Sequence, residues 1–188
     1  MNTFCKDFFY LCKMDLIDGF KKIINIFNEE EIGYMIVGGF ATSFYNQYRF
    51  TADIDVVLQI YTRDIEKIVK HFPDWLPYLD AFKGNAQRGI VFNLTDFETG
   101  VKYDFMVYQD SDYNWTAFER RHKVKFNDVE CYIASPEDLA IAKLMWYNIS
   151  KSGKQLDDIK FLLKLENLDK NYIELWTTKL FIDRHGLF

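Results

Sequence analysis

Proline is scarce in this chain, three in 188 residues, and no Pro/Gly-rich linker, repeat or low-complexity tract divides it. The chain therefore reads as continuous and compact. Cysteine is as rare. Cys5, Cys12 and Cys131 are too few and too widely spaced for a disulfide framework, and no Cys-x-x-Cys pair offers a zinc site. A reducing cytoplasm is the expected compartment. His71, His122 and His185 are dispersed without ligand spacing. No apolar run approaches the ~18 residues that a membrane helix needs, so no membrane partner is expected. The opening MNTFCKDFFYLCKMDL, interrupted by Lys6, Asp7 and Lys13, lacks the apolar core of a secretory signal. Positive charge is in deficit. A net charge of −5 argues against nucleic-acid binding by bulk basicity and leaves only a local patch open.

Apolar and aromatic side chains are abundant, at 49% and 18% of the chain, enough for a real core and against disorder. Residues 16–31 place Leu16, Ile17, Phe20, Ile23, Ile24 and Phe27 at helical spacing. Phe4, Phe8 and Leu11 suggest a shorter helix before them. Gly33 is expected to break the helix ahead of a buried strand, YMIV. Gly38-Gly39 follows, then a helix through FATSFYNQY, the strand ADIDVVLQI, and a helix over TRDIEKIVKHF. Pro73 and Pro77 read as a loop. RGIVFNLTD and VKYDFMVY read as strands joined by a hairpin at FETG. Residues 113–121 read as a short helix or loop, and HKVKF and VECYIA as strands around NDV. From 135 the chain turns helical. Ser135 suits an N-cap, Pro136 the first helical position and Asp138 a capping-box pattern, with helices near 136–149, 154–166 and 169–183. The order predicts an α+β fold with a mixed β-sheet flanked by helices. Its expected organisation is a core over 1–133 with N-terminal helices, and a helical part over 134–188 packed on it.

One stretch needs explaining, YMIVGGFATSFYNQYRFTADIDVVL, residues 34–58. It sets two carboxylates, Asp53 and Asp55, inside a strand-like apolar run. Side chains i and i+2 of a strand share a face. The two acids repel each other, and each loses solvation if buried. A divalent cation such as Mg²⁺ relieves both penalties and shares its remaining positions with phosphates. Asp-x-Asp alone is weak, since 28 acids in 188 residues give about four acid-x-acid pairs by chance. The diglycine strengthens it. Between a strand and a helix, Gly38 and Gly39 let backbone N–H groups approach an anion, although a plain helix-entry turn has the same form. Asp104, the single acid of GVKYDFMVY, is a third candidate, or an exposed residue of an edge strand.

Together, Gly38-Gly39, Asp53/Asp55 and Asp104 resemble the nucleotidyltransferase superfamily with a DNA polymerase β-like palm. More narrowly, VGGFATSFYNQYRFTADIDVVL resembles a bacterial branch that includes the AbiEii-type toxins, and Ala41, Arg49 and Thr51 fall on its pattern positions. ASPEDLAIAKLMWYNISKSGKQLDDIKFLL resembles that branch's later helices. The likeness spans residues 33–165. It departs at Gln155, where relatives carry an acid, while Asp158 keeps the second acid.

The resemblance implies Mg²⁺-dependent transfer of an NMP from an NTP to a hydroxyl of tRNA, a protein or a small molecule. It implies catalytic and metal-binding roles for Asp53, Asp55 and Asp104, with two ions possible. Gly38, Gly39, Arg49, Thr51 and Lys143 would bind nucleotide, and an antitoxin protein is a conceivable partner. Arg49 suits a phosphate contact or a plain ion pair. Lys143 suits the triphosphate or a snorkelling surface position. The run ERRHKVK, residues 119–125, suits an acceptor or simple solvation. A catalytically silent nucleotide- or partner-binding module on the same fold is the alternative.

Overall fold

The computed structural model describes residues 3–45 and 51–188, with side chains from residue 16 onward. Helix α1 (Thr3–Glu29) opens the chain as one continuous element rather than two. Its apolar stripe is driven inward, and Phe20, Ile23, Ile24 and Phe27 have no exposed surface. The helix stops before Gly33. Glu31 takes the left-handed conformation at φ 53°, and the Ile32 N–H closes the turn on the Phe27 carbonyl at 2.8 Å. Gly33 instead opens strand β1 (Gly33–Val37).

The next elements are α2 (Gly38–Tyr45) and β2 (Asp53–Gln59). The helix expected over 62–72 is a tight 3-10 turn, Thr62–Ile65, leading into a single α turn, α3 (Glu66–Val69). A 3-10 turn carries Pro73 and Pro77. It leads into α4 (Leu79–Gln87), a helix the sequence reading did not contain, which buries Phe82 and Ala86. Strands β3 (Phe92–Thr95) and β4 (Lys102–Val107) form the expected hairpin. Helix α5 (Asp112–Glu119) then precedes the hairpin of β5 (His122–Phe126) and β6 (Val129–Ile133). Asn127 and Asp128, both at positive φ, make its two-residue turn. Helices α6 (Pro136–Ser150), α7 (Gly153–Leu162) and α8 (Lys170–Lys179) complete the chain. Lys151 ends α6 in the left-handed conformation, and Gly153 begins α7 rather than separating the two.

The six strands make one mixed sheet in the order β3-β4-β2-β1-β6-β5. Strands β2 and β4 run parallel, as do β1 and β6, and the other neighbours are antiparallel. The sheet's two faces differ. Ile54, Val56, Leu58, Tyr103 and Phe105 are fully buried on one. Alpha1 packs against that face. Phe27 meets the Phe105 ring edge-on, and the Tyr103 hydroxyl donates to the Gly19 carbonyl at 2.9 Å. The alternate residues of β2 and β4 are polar or half-buried and face away from α1.

The later helices join the same apolar cluster through Leu139, Ile141, Leu144, Ile159 and Ile173. A buried polar network pins them. Ser135 caps α6, accepting from the Asp138 N–H at 3.1 Å and donating to Asp138 Oδ2 at 2.6 Å. The Tyr172 hydroxyl of α8 donates to Asp138 Oδ1 at 2.8 Å, and Arg120 donates to Glu137 Oε2 at 3.0 Å. Burial pushes the Asp138 carboxyl upward, against these donors. Ser135→Ala removes both the cap and a donor to a buried acid. It is expected to lower stability by about 1–2 kcal/mol in urea denaturation, with an unchanged m value.

Candidate active site

Period-two alternation places Asp53 and Asp55 on the sheet face away from α1, as expected. The strand order then brings β4 alongside β2. Asp55 lies directly opposite Asp104, and Asp53 directly opposite Lys102. Four charged side chains thus form a two-by-two block, three acids and one lysine. Asp53 is exposed, and Asp55 and Asp104 are half-buried.

The diglycine meets this block from the next strand. Val37 pairs with Asp55, so Gly38 sits over the Asp55 carboxylate. Gly38 is at φ +64°, and a Cβ there would collide with Asp55 Oδ2 and lie 2.6 Å from its Cγ. Only glycine fits, for both reasons. The Gly39 N–H, at the start of α2, donates to the Asp55 carboxylate. The helix amide expected to face a phosphate is therefore engaged with an acid of the chain itself.

Desolvation is the largest influence on Asp55 and pushes its carboxyl above the usual range; the charge of Asp104 pushes the same way, and that of Asp53 adds to it. The Gly39 N–H and the Lys143 ammonium oppose them. Lys143 does not snorkel outward. Its side chain is 5% exposed, and its Nζ donates to Asp158 Oδ2 at 2.6 Å and to Gln155 Oε1 at 3.4 Å. The departure noted at Gln155 thus acquires a position. Its amide oxygen and the retained Asp158 both come from α7 and flank Lys143, whose field reaches Asp55.

Thr51 is half-buried just before β2, its hydroxyl 3.5 Å from the Asp53 carbonyl. Arg49 lies outside the described residues. The basic run 119–125 is largely neutralised. Lys123 pairs with Glu130 at 2.6 Å, Lys125 with Asp128 at 3.2 Å and Arg120 with Glu137 at 3.0 Å. The Arg121 guanidinium lies over the Phe118 ring at 4.0 Å. Of the alternatives for this run, the geometry favours structural surface.

Lys102 escaped the sequence reading. Its Nζ lies 2.8 Å from Asp104 Oδ2. The signal was present, since Lys102 and Asp104 are two apart in a strand and must share a face. The donor set fits Mg²⁺ in kind: hard carboxylate oxygens, with Asp55 and Asp104 opposed across the strand pair. Among the described residues, however, no three His, Cys, Asp or Glu side chains are gathered closely enough to form a ligand set. Asp104 is held by Lys102, and Asp53 stands in solvent.

Among the described residues no helix is long and apolar enough to cross a membrane. No curated protein sequence matches the chain significantly. Its fold is similar to that of an antigenic nucleotidyltransferase-like protein from Paracoccidioides brasiliensis, with a TM-score of 0.54 and 17% identity over 94% of this chain and 89% of that one. It is also similar to the antibiotic-resistance factor ANT(2'')-Ia in solution, with a TM-score of 0.54 and 14% identity over 86% and 88% of the two chains. A crystal structure of ANT(2'')-Ia in complex with adenylyl-2''-tobramycin aligns with a TM-score of 0.53 and 12% identity, covering 87% of this chain and 95% of that one. At these identities the likeness is one of fold, and it agrees with the α+β architecture expected from the element order. Residues 14–179 match the family described as "Nucleotidyltransferase of unknown function (DUF6036)", and the chain belongs to that family.

Proposed function

We propose that the protein transfers an NMP from an NTP to a hydroxyl acceptor, with Asp53, Asp55 and Asp104 as its catalytic acids. The observation that carries this reading is the register of β2 and β4, which sets Asp55 opposite Asp104 beneath Gly38-Gly39. Asp55 and Asp104, opposed across the strand pair, would hold Mg²⁺ with Asp53 drawn in from solvent, and the ion when bound supplies positive charge against the phosphates of the nucleotide. Asp104 would help bind a second Mg²⁺ or take the proton of the attacking hydroxyl. Gly38, lacking a side chain, leaves room for phosphates at the start of α2, where they would compete with Asp55 for the Gly39 N–H, and Lys143 adds charge beside Asp55. Positioning and charge neutralisation account for the chemistry, since the phosphoryl centre needs no covalent partner from the protein.

In this reading residues 1–133 carry the acids, and the helical part, 134–188, brings Lys143 to them with Asp158 and Gln155 holding its head. Thr51 would contact the nucleotide from the approach to β2, and Arg49 is assigned to it by the sequence pattern alone. The acceptor that fits best is a small-molecule hydroxyl. The net charge is −5, and the basic run 119–125 is occupied by its own acids. The fold is similar to that of a protein seen in complex with adenylyl-2''-tobramycin. Membership of the AbiEii-type branch, with a tRNA or protein acceptor, a partner antitoxin and a cytoplasmic site of action, is the alternative that the pattern around Arg49 and Thr51 suggests.

The test incubates the protein with each labelled NTP, Mg²⁺ and a panel of aminoglycosides, tRNA and proteins, beside Asp53→Ala/Asp55→Ala. Label should move to an acceptor only with Mg²⁺, and the variant should lose transfer by at least about a thousandfold. Nucleotide binding without transfer to any acceptor would favour a silent module instead.

A further inference from the structure

We propose that the Lys102 ammonium is a built-in counter-ion of the acid face, competing with a divalent cation for Asp104. The inference rests on the functional reading above, and it concerns how the same site is held when no metal is bound.

The geometry is specific. Lys102 and Asp104 share a face of β4, and Lys102 Nζ lies 2.8 Å from Asp104 Oδ2. Across the strand pair, Lys102 stands opposite Asp53 and Asp104 opposite Asp55. The fields of Asp53 and Asp55 reach the ammonium as well. Without that ammonium, the block would carry three like charges on two neighbouring strands, with Asp55 and Asp104 half-buried. The lysine lowers this repulsion from the same strand.

Its hold is loose. The Lys102 side chain is 39% exposed against 18% for Asp104, so the head can leave for solvent without being buried elsewhere. Only Asp104 Oδ2 bonds the ammonium, but a cation ligated by the same carboxylate would bring two positive charges against it. A divalent ion carries twice the charge and satisfies several carboxylates together, so it displaces the lysine rather than joining it. Lys102 is therefore a positioning residue. It holds Asp104 in place against repulsion and sets the concentration at which a metal is admitted.

Mn²⁺ alone, followed by the paramagnetic resonance of the free ion and titrated against the full chain without nucleotide, tests this. Lys102→Met should bind Mn²⁺ about fivefold more tightly than wild type, the equivalent of one partly exposed ion pair. Lys102→Arg, which keeps the charge, should bind no more tightly than wild type. In parallel melts, Lys102→Met should unfold at a lower temperature than wild type without metal and gain more from Mn²⁺. Lys102→Gln repeats the test should the Met variant fold poorly. Equal or weaker Mn²⁺ binding by the neutral variants overturns the competition alone and leaves the metal reading standing. No Mn²⁺ binding by any form overturns both.

Discussion

Asp55→Asn is expected to abolish nucleotidyl transfer while making the protein more stable. The carboxylate sits between Asp104 and Asp53, and desolvation and their charges disfavour its ionised form. An amide of the same shape relieves that repulsion and still offers an oxygen to the Gly39 N–H. Relief of this kind is worth about 1 kcal/mol, or roughly 2–4 °C in melting temperature for a chain of this size. The activity loss should be at least about a thousandfold, because charge placed at the phosphates is most of the catalysis. Melts without divalent cation, set beside a transfer assay, separate the two effects. A variant that melts several degrees lower would make Asp55 a structural hub, and one that transfers normally would put the chemistry elsewhere. The opposed signs matter because a merely structural acid loses stability and activity together.

Gly38→Ala should do both kinds of damage. Its φ of +64° already strains an L-residue, and the new methyl would occupy the space of the Asp55 carboxylate. Either β1 and α2 part from β2 or Asp55 swings away from Asp104. A cost of about 2–4 kcal/mol is expected, read as a melting temperature lower by roughly 5–15 °C. The fraction that remains folded at low temperature should still be inactive, because the acid is displaced. Wild-type stability with wild-type transfer would show that the diglycine is only a helix-entry turn. A useful contrast is Gly84, inside α4, where a Cβ meets nothing within 4 Å; alanine there should leave transfer unchanged and raise stability by about 0.5–1 kcal/mol.

Much of this was legible in the chain itself. Leu16 to Phe27 announce a helix by period, and Ser135-Pro136 with Asp138 announce the start of α6. The alternation in DIDVV puts Asp53 and Asp55 on one face wherever that strand lies. Each of these is a local property, decided by neighbours within a turn or two of backbone. Alpha4 shows the limit of local reading. Phe82 and Ala86 are four apart on one face, but the prolines just before them and a weak apolar pattern hid the helix until packing supplied its partners.

The site itself is a matter of long-range neighbours. No local signal says that β4, beyond α3, α4 and a hairpin partner, lies beside β2, or that its register sets Asp104 against Asp55 and Lys102 against Asp53. Nor does any say that α7 returns to close Asp158 and Gln155 over Lys143. Those adjacencies follow from which apolar faces bury one another: Ile54 and Val56 with Tyr103 and Phe105 beneath α1. The sequence alone determined which side chains point together along each element, because backbone geometry repeats. Only the tertiary structure decided which charges meet, because strand order and register are chosen by the burial of the opposite face.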